Sequence, residues 1–129
     1  METPKENPEL IYEDLTGRII ELAIAVHKAL GPGLVERFYE RALCIELELA
    51  DIPFQCQPEY AVSYRGEVLG MHRLDLVVDK RVSVELKAVS DIAPVHMAQA
   101  RSSIKAAGLR VALILNFAKP VLEIKRVVQ

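Results

Sequence analysis

Apolar residues recur at three- and four-residue steps from Leu15 through Ile19, Leu22 and Val26 to Leu30. This period predicts an amphipathic helix over 15–30. GPG at 31–33 stops it and turns the chain. A second helical pattern, 34–50, has two apolar stripes. One is Leu34, Phe38, Ala42, Ile45 and Leu49; the other is Tyr39, Leu43 and Leu47, with Glu36 at its N-terminal end. A helix apolar over so much of its circumference is expected to be mostly buried. DIP at 51–53 ends the helical half. Period-two alternation then sets in. Phe54, Cys56, Tyr60, Val62 and Tyr64 share one face of a strand, RGE at 65–67 is a turn, and VLGMHRLDLVV at 68–78 returns as the partner strand. DKR at 79–81 leads tightly into VSVELKAVSD at 82–91. Residues 92–108 predict a helix with Pro94 in its first turn and Gly108 at its C-cap. LRVALILNF at 109–117 reads as a strand buried on both faces, and VLEIKRVV at 121–128 as a last, more exposed one. The predicted fold is α/β: a mixed sheet, with an antiparallel meander of the first three strands flanked by helices. The helix after the third strand implies a right-handed crossover onto a parallel neighbour.

The strand pattern places chemistry as well as structure. In 82–91, Val82, Val84, Leu86 and Ala88 alternate with Ser83, Glu85 and Lys87, so an acid and an amine share the less apolar face. In 68–78, Val68, His72, Leu74, Leu76 and Val78 form the more apolar face, and Asp75 falls on the other with Met71, Arg73 and Val77. Pairing across the short 79–81 turn brings Asp75 within a residue or two of Glu85 or Lys87. Two neighbouring carboxylates repel unless a proton or cation is shared between them. A hard divalent cation such as Mg²⁺ suits oxygen ligands.

Composition narrows the class. The 129 residues, 51% apolar and 26% charged, suit one soluble globular domain with a core of its own. The net charge of −2 argues against general attraction to nucleic acid, while leaving room for a local basic groove. Cys44 and Cys56 have neither CxxC nor zinc-site spacing and read as buried thiols of a reducing compartment. METPKENPEL is polar and unlike a signal peptide, and no apolar run spans a bilayer, so a cytoplasmic protein without membrane contact is expected. Residues 1–11 read as a flexible tail and 12–129 as a single domain.

An Asp on a hairpin strand, Glu-x-Lys on the next, then a helix and a buried strand together resemble the PD-(D/E)xK nuclease-like superfamily. GPGLVERFYE, with Gly33, Glu36 and Tyr39, is similar to the pattern of the GxxExxY family of small prokaryotic proteins within it. HRLDLVV, VELKAV, PVHMAQ and GLRVALILNF resemble its later blocks, over about 15–128. The resemblance implies a restriction-endonuclease-like core. It also implies a metal site of Asp75, Glu85, the Leu86 carbonyl and Glu36, holding Mg²⁺ or Mn²⁺. Lys87 would orient the attacking water or stabilise charge on the phosphate, and Gln99 would orient groups at the site. Two positions depart from the pattern. Leu74 stands where the superfamily has Pro, and Ser103 stands where a QxxxY pattern would have Tyr.

Plainer readings compete with each assignment. Glu85 and Lys87 could lie on a solvated edge, Glu36 could cap its helix, and Gln99 could be a boundary residue. His27, His72 and His96 read as core-edge or surface residues, Arg101 and Lys105 as a solvated face, and Tyr39 as packing. The expectation is a metal-dependent nuclease acting on DNA or RNA. The alternatives are an inactive nuclease-fold scaffold or a small phosphate-ligand binder. A homodimer is expected from the high mean hydropathy of +0.18 and the small surface of one domain.

Overall fold

The first helical period is realised as α1, Glu13–Leu30, and the second as α2, Glu36–Leu49. This computed structural model describes residues 11–129; the expected tail, apart from Ile11, lies outside the described residues. Ile11 itself is buried in the core. Between the helices, Gly33 adopts φ +110°, a conformation that a residue with a Cβ rarely takes. Tyr39 closes that loop from inside. Its hydroxyl donates to the Gly31 carbonyl at 2.6 Å and accepts from the Leu34 N–H at 3.1 Å, while its ring stacks on Phe117 at 4.4 Å. Tyr39 is fully buried, as its reading as packing anticipates.

Each of the two long predicted strands is broken into two. The first becomes β1, Phe54–Cys56, and β2, Glu59–Tyr64; the second becomes β3, Glu67–Arg73, and β4, Leu76–Val78. Pro58 has no N–H for a ladder, and Gln57 beside it takes a positive φ of 52°. The halves nearer the core, β1 and β4, join the main sheet, and β2 and β3 peel away as a separate hairpin. Two bonds span the break, from the Gln57 N–H to the Asp75 carbonyl (2.7 Å) and from the Leu74 N–H to the Pro58 carbonyl (3.0 Å).

β5, Val82–Lys87, then α3, Pro94–Ala107, β6, Val111–Asn116, and β7, Glu123–Val128, complete the chain. The sheet order is β1-β4-β5-β6-β7. β1, β4 and β5 run antiparallel in turn, so the expected meander persists with the hairpin as an excursion from it. β5 and β6 are parallel, as the intervening helix requires, and β7 returns antiparallel to β6. α1 and α2 cover one face through Ile19, Ala23, Leu43 and Leu47, packed on Leu76, Val84, Leu86 and Leu113. α3 covers the other with a smaller cluster of Ala100 and Ile104 on Ala112, Ile114 and Val127. This lighter cover leaves the β4–β5 end of that face open to polar residues.

Two expectations need correction. The α2 helix is not mostly buried: Tyr39, Leu43 and Leu47 are covered, but Phe38, Ile45 and Leu49 are exposed, and Leu34 of the expected stripe falls in the loop before the helix and is exposed too. A helix lying on a sheet is covered only from below and beside, and its outer stripe has no layer above it. Cys44 is buried but Cys56 is exposed, because β1 lies at the sheet edge. Burial pushes the Cys44 thiol up to about 12. Among the described residues no helix is long and apolar enough to cross a membrane.

Tyr39→Phe keeps the stacked ring but strips the Gly31 carbonyl and Leu34 N–H of their partner. It should cost about 1–3 kcal/mol, read as a lower urea midpoint at unchanged slope. An unchanged midpoint would show that the loop holds without this clamp.

Candidate functional site

β5 sets the first two groups by parity alone. Val82, Val84 and Leu86 point into the α1–α2 core, so Ser83, Glu85 and Lys87 point toward α3. Glu85 is buried and Lys87 half-buried. Asp75 arrives from the strand break. The β4–β5 ladder ends at Leu76 opposite Val84, and the next step of that register brings Asp75 level with Glu85. There the Asp75 carboxylate replaces a strand carbonyl: its Oδ2 accepts the Leu86 N–H at 2.9 Å. The N–H and C=O of one strand residue share an edge, so the Leu86 carbonyl faces that side too.

His72, Arg73, Leu74, Asp75, Glu85, Lys87, Gln99 and Ser103 line one concavity of about 200 Å³. Strict alternation along 68–78 puts His72 on the face opposite Asp75. The break at Leu74 and Asp75 resets the alternation, and both residues line the same concavity. A larger concavity of about 640 Å³ lies at the other end of β4 and β5, around Tyr12, Asp51, Asp79 and Arg81. It gathers none of the predicted site residues, and its Arg81 is paired with Asp79 and stacked on Tyr12.

Burial raises the Glu85 carboxyl above its ordinary range, and the nearby Asp75 charge adds to this. A hydrogen bond with Ser103 and the Lys87 charge oppose the shift without cancelling it. The Ser103 hydroxyl also lies 2.9 Å from His72 Nε2. A hydroxyl has one proton, so when Ser103 donates to Glu85 it accepts from His72 Nε2–H. The serine at the expected tyrosine position is therefore buried and bonded in the site, and it links α3 to the hairpin. Gln99, one turn earlier on α3, stands exposed at the rim. His96 serves elsewhere, its Nδ1 accepting the Ala93 N–H at 2.8 Å at the start of α3.

Glu36 reaches the end of β5 rather than the concavity. Its Oε1 accepts the Ala88 N–H at 3.2 Å, beside Lys87 in sequence, and its side chain is exposed. The α2 acid that feels Asp75 is Glu40, one turn later. Burial raises the Glu40 carboxyl, the Asp75 charge raises it further, and the Arg73 charge opposes them. Gln57 Nε2 donates to it at 3.2 Å and Cys56 Sγ at 3.5 Å. Glu36 and Glu40 are four apart and share a helix face, so the spacing that singles out the first also carries the second. Asn116 holds the exit of β5 on this side, accepting the Val89 N–H at 3.0 Å and donating to the Val89 carbonyl at 2.8 Å.

Among the described residues no three His, Cys, Asp or Glu side chains form a ready-made metal cage. Asp75 and Glu85 are nonetheless two oxygen donors, and the Asp75 charge adds to the burial that raises the Glu85 carboxyl. A divalent cation relieves the repulsion between them. Mg²⁺ in particular is held by one or two carboxylates, with waters and substrate phosphates completing its shell. The donor set fits such an ion.

The family model of the PD-(D/E)XK nuclease superfamily matches residues 13–127. No curated protein and no solved structure matches the chain.

The raised Glu85 carboxyl fixes the sign of a pH effect. Where the native state holds this proton and the unfolded chain has lost it, stability falls as pH rises. In metal-free buffer at neutral pH, Glu85→Gln should raise the Tm by a few degrees, and the advantage should vanish on acidification below the ordinary carboxylate range. A gain independent of pH, or no gain, would contradict this electrostatic description.

Proposed function

Because the chain belongs to the PD-(D/E)XK nuclease superfamily, we propose that it is a metal-dependent phosphodiesterase acting on DNA or RNA, of the GxxExxY type within that superfamily. The observation that supports this most is that Asp75, Glu85 and Lys87 line one concavity at the point where β4 and β5 stop pairing. Asp75, Glu85 and the Leu86 carbonyl would hold Mg²⁺ or Mn²⁺, with Glu36 or Glu40 as the acid contributed by α2. When bound, such an ion neutralises the scissile phosphate and supplies a water of lowered pKa.

The remaining roles belong to this chain's own side chains. Lys87, two residues beyond Glu85 on the same face, stabilises negative charge developing on the phosphate. Ser103 and His72 hold the Glu85 carboxylate in place through their hydrogen bonds. Gln99 and Arg73 at the rim offer donors to an incoming phosphate or base.

A second reading, of a nuclease fold that binds a phosphate ligand or a partner without cleaving, is favoured by the absence of a three-residue cage among the described residues and by the net charge of −2. One experiment separates the two: calorimetric Mn²⁺ titration paired with a cleavage assay on mixed DNA and RNA. Wild type should bind the ion and cleave. Asp75→Asn should lose both binding and the metal-dependent rise in Tm. Lys87→Ala should keep the ion while cleavage falls by a few orders of magnitude. Unchanged binding in Asp75→Asn refutes the site. Binding by wild type without cleavage of either nucleic acid selects the second reading.

A further inference from the structure

α2 buries only one of its two apolar stripes. On the other, Phe38 keeps 48% of its surface, Ile45 43% and Leu49 76%, and Leu34, in the loop just before the helix, keeps 39%. Leu30 and Val35 extend the patch toward the loop between the helices. Leu30, Leu34, Phe38, Arg41, Ala42 and Ile45 line an open groove of about 380 Å³ along it. A contiguous apolar strip of this kind on a soluble domain marks an interaction surface.

The order of residues along the stripe points to what covers it. Leu34, Phe38, Ala42, Ile45 and Leu49 are spaced four, four, three and four apart. About a midpoint between Arg41 and Ala42, Phe38 mirrors Ile45 on the helix, while Leu34, in the loop just before α2, matches Leu49 in sequence spacing only. A face that reads alike in both directions is self-complementary to an antiparallel copy, as an isologous two-fold contact requires. The small Ala42 near the midpoint lets two such helices approach closely.

The charges beside the stripe point the same way. Arg37 and Arg41 lie in the N-terminal half of α2, Glu46 and Glu48 in its last turn, and no base stands in that turn. For a lone helix this is the unfavourable layout, since the dipole prefers bases at the C-terminus and acids at the N-terminus. Glu36 and Glu40 are acids in the N-terminal half, but they lie on the side turned to β5 and β1. In an antiparallel pair, Arg37 of each copy comes level with the turn bearing Glu46 and Glu48 of the other, so these ends become complementary, while the two Arg41 side chains meet near the axis and oppose the pairing. A parallel pair would set Arg37 against Arg37 as well as Arg41 against Arg41, and Glu against Glu at the far end.

We propose that the outer stripe of α2 is a homodimer interface, the second copy lying antiparallel across it. The interface is separate from the Asp75–Glu85 concavity, so the proposal stands apart from the phosphodiesterase reading. The test is sedimentation equilibrium of the full chain at micromolar concentration. Wild type should be a dimer. Phe38→Glu should be a monomer with unchanged circular dichroism, since Phe38 is not in the core. Arg37→Glu should weaken the dimer about tenfold, and adding Glu48→Arg should restore it. A monomeric wild type overturns the proposal and leaves the stripe to a different protein. A dimer that survives Phe38→Glu places the interface elsewhere and overturns it equally. Failure of the paired charge swap to restore the dimer overturns the antiparallel arrangement.

Discussion

The hydrogen bond from the Leu86 N–H to the Asp75 carboxylate is the contact on which the rest of this site depends. It stands where a continuous β4 strand would supply a carbonyl. Because a side chain fills that place, the backbone is free to leave the sheet at Leu74 and Asp75, and β3 departs with β2 as a hairpin. The departure opens a polar concavity on a face that α3 only partly covers. The half-buried Asp75 carboxylate is tolerated at such a position because it accepts a backbone N–H that would otherwise be unpaired.

The electrostatics follow from that opening. Glu85 comes level with Asp75, so two acids face each other at low exposure with Lys87 beside them. Ser103 restrains Glu85 from the helix side and is itself held by His72 from the hairpin. Glu40 adds a third acid whose carboxyl responds to the Asp75 charge, while Gln57 and Cys56 from the edge of the break bind it. The arrangement concentrates negative charge in a small volume and leaves it incompletely compensated. A cation or a proton is the natural complement of such a site.

Much of this was legible from alternation and period. The face shared by Glu85 and Lys87 follows from period two along β5, and the parallel β5–β6 pair from the helix between them. The break itself was not legible, because alternation continues across Leu74 and Asp75 and only Pro58 on the neighbouring strand signals a lost donor. Strict alternation therefore puts His72 on the wrong face. By the family pattern Ser103 is a missing tyrosine, since such a pattern names the residue expected there and not the bond a shorter side chain can make. The apolar stripe on α2 was visible, but period alone identifies an apolar face without saying what covers it. Glu40 shared the face of Glu36 throughout; only the position of β1 distinguishes them.

The central claim is that Asp75 and Glu85 form a divalent-cation site on this chain. The most direct measurement is anomalous diffraction from crystals soaked in Mn²⁺. The account predicts one strong peak in contact with both the Asp75 and Glu85 carboxylates. A peak at Glu36 or elsewhere on the chain instead, or none in a crystal whose concavity is open to solvent, would contradict it.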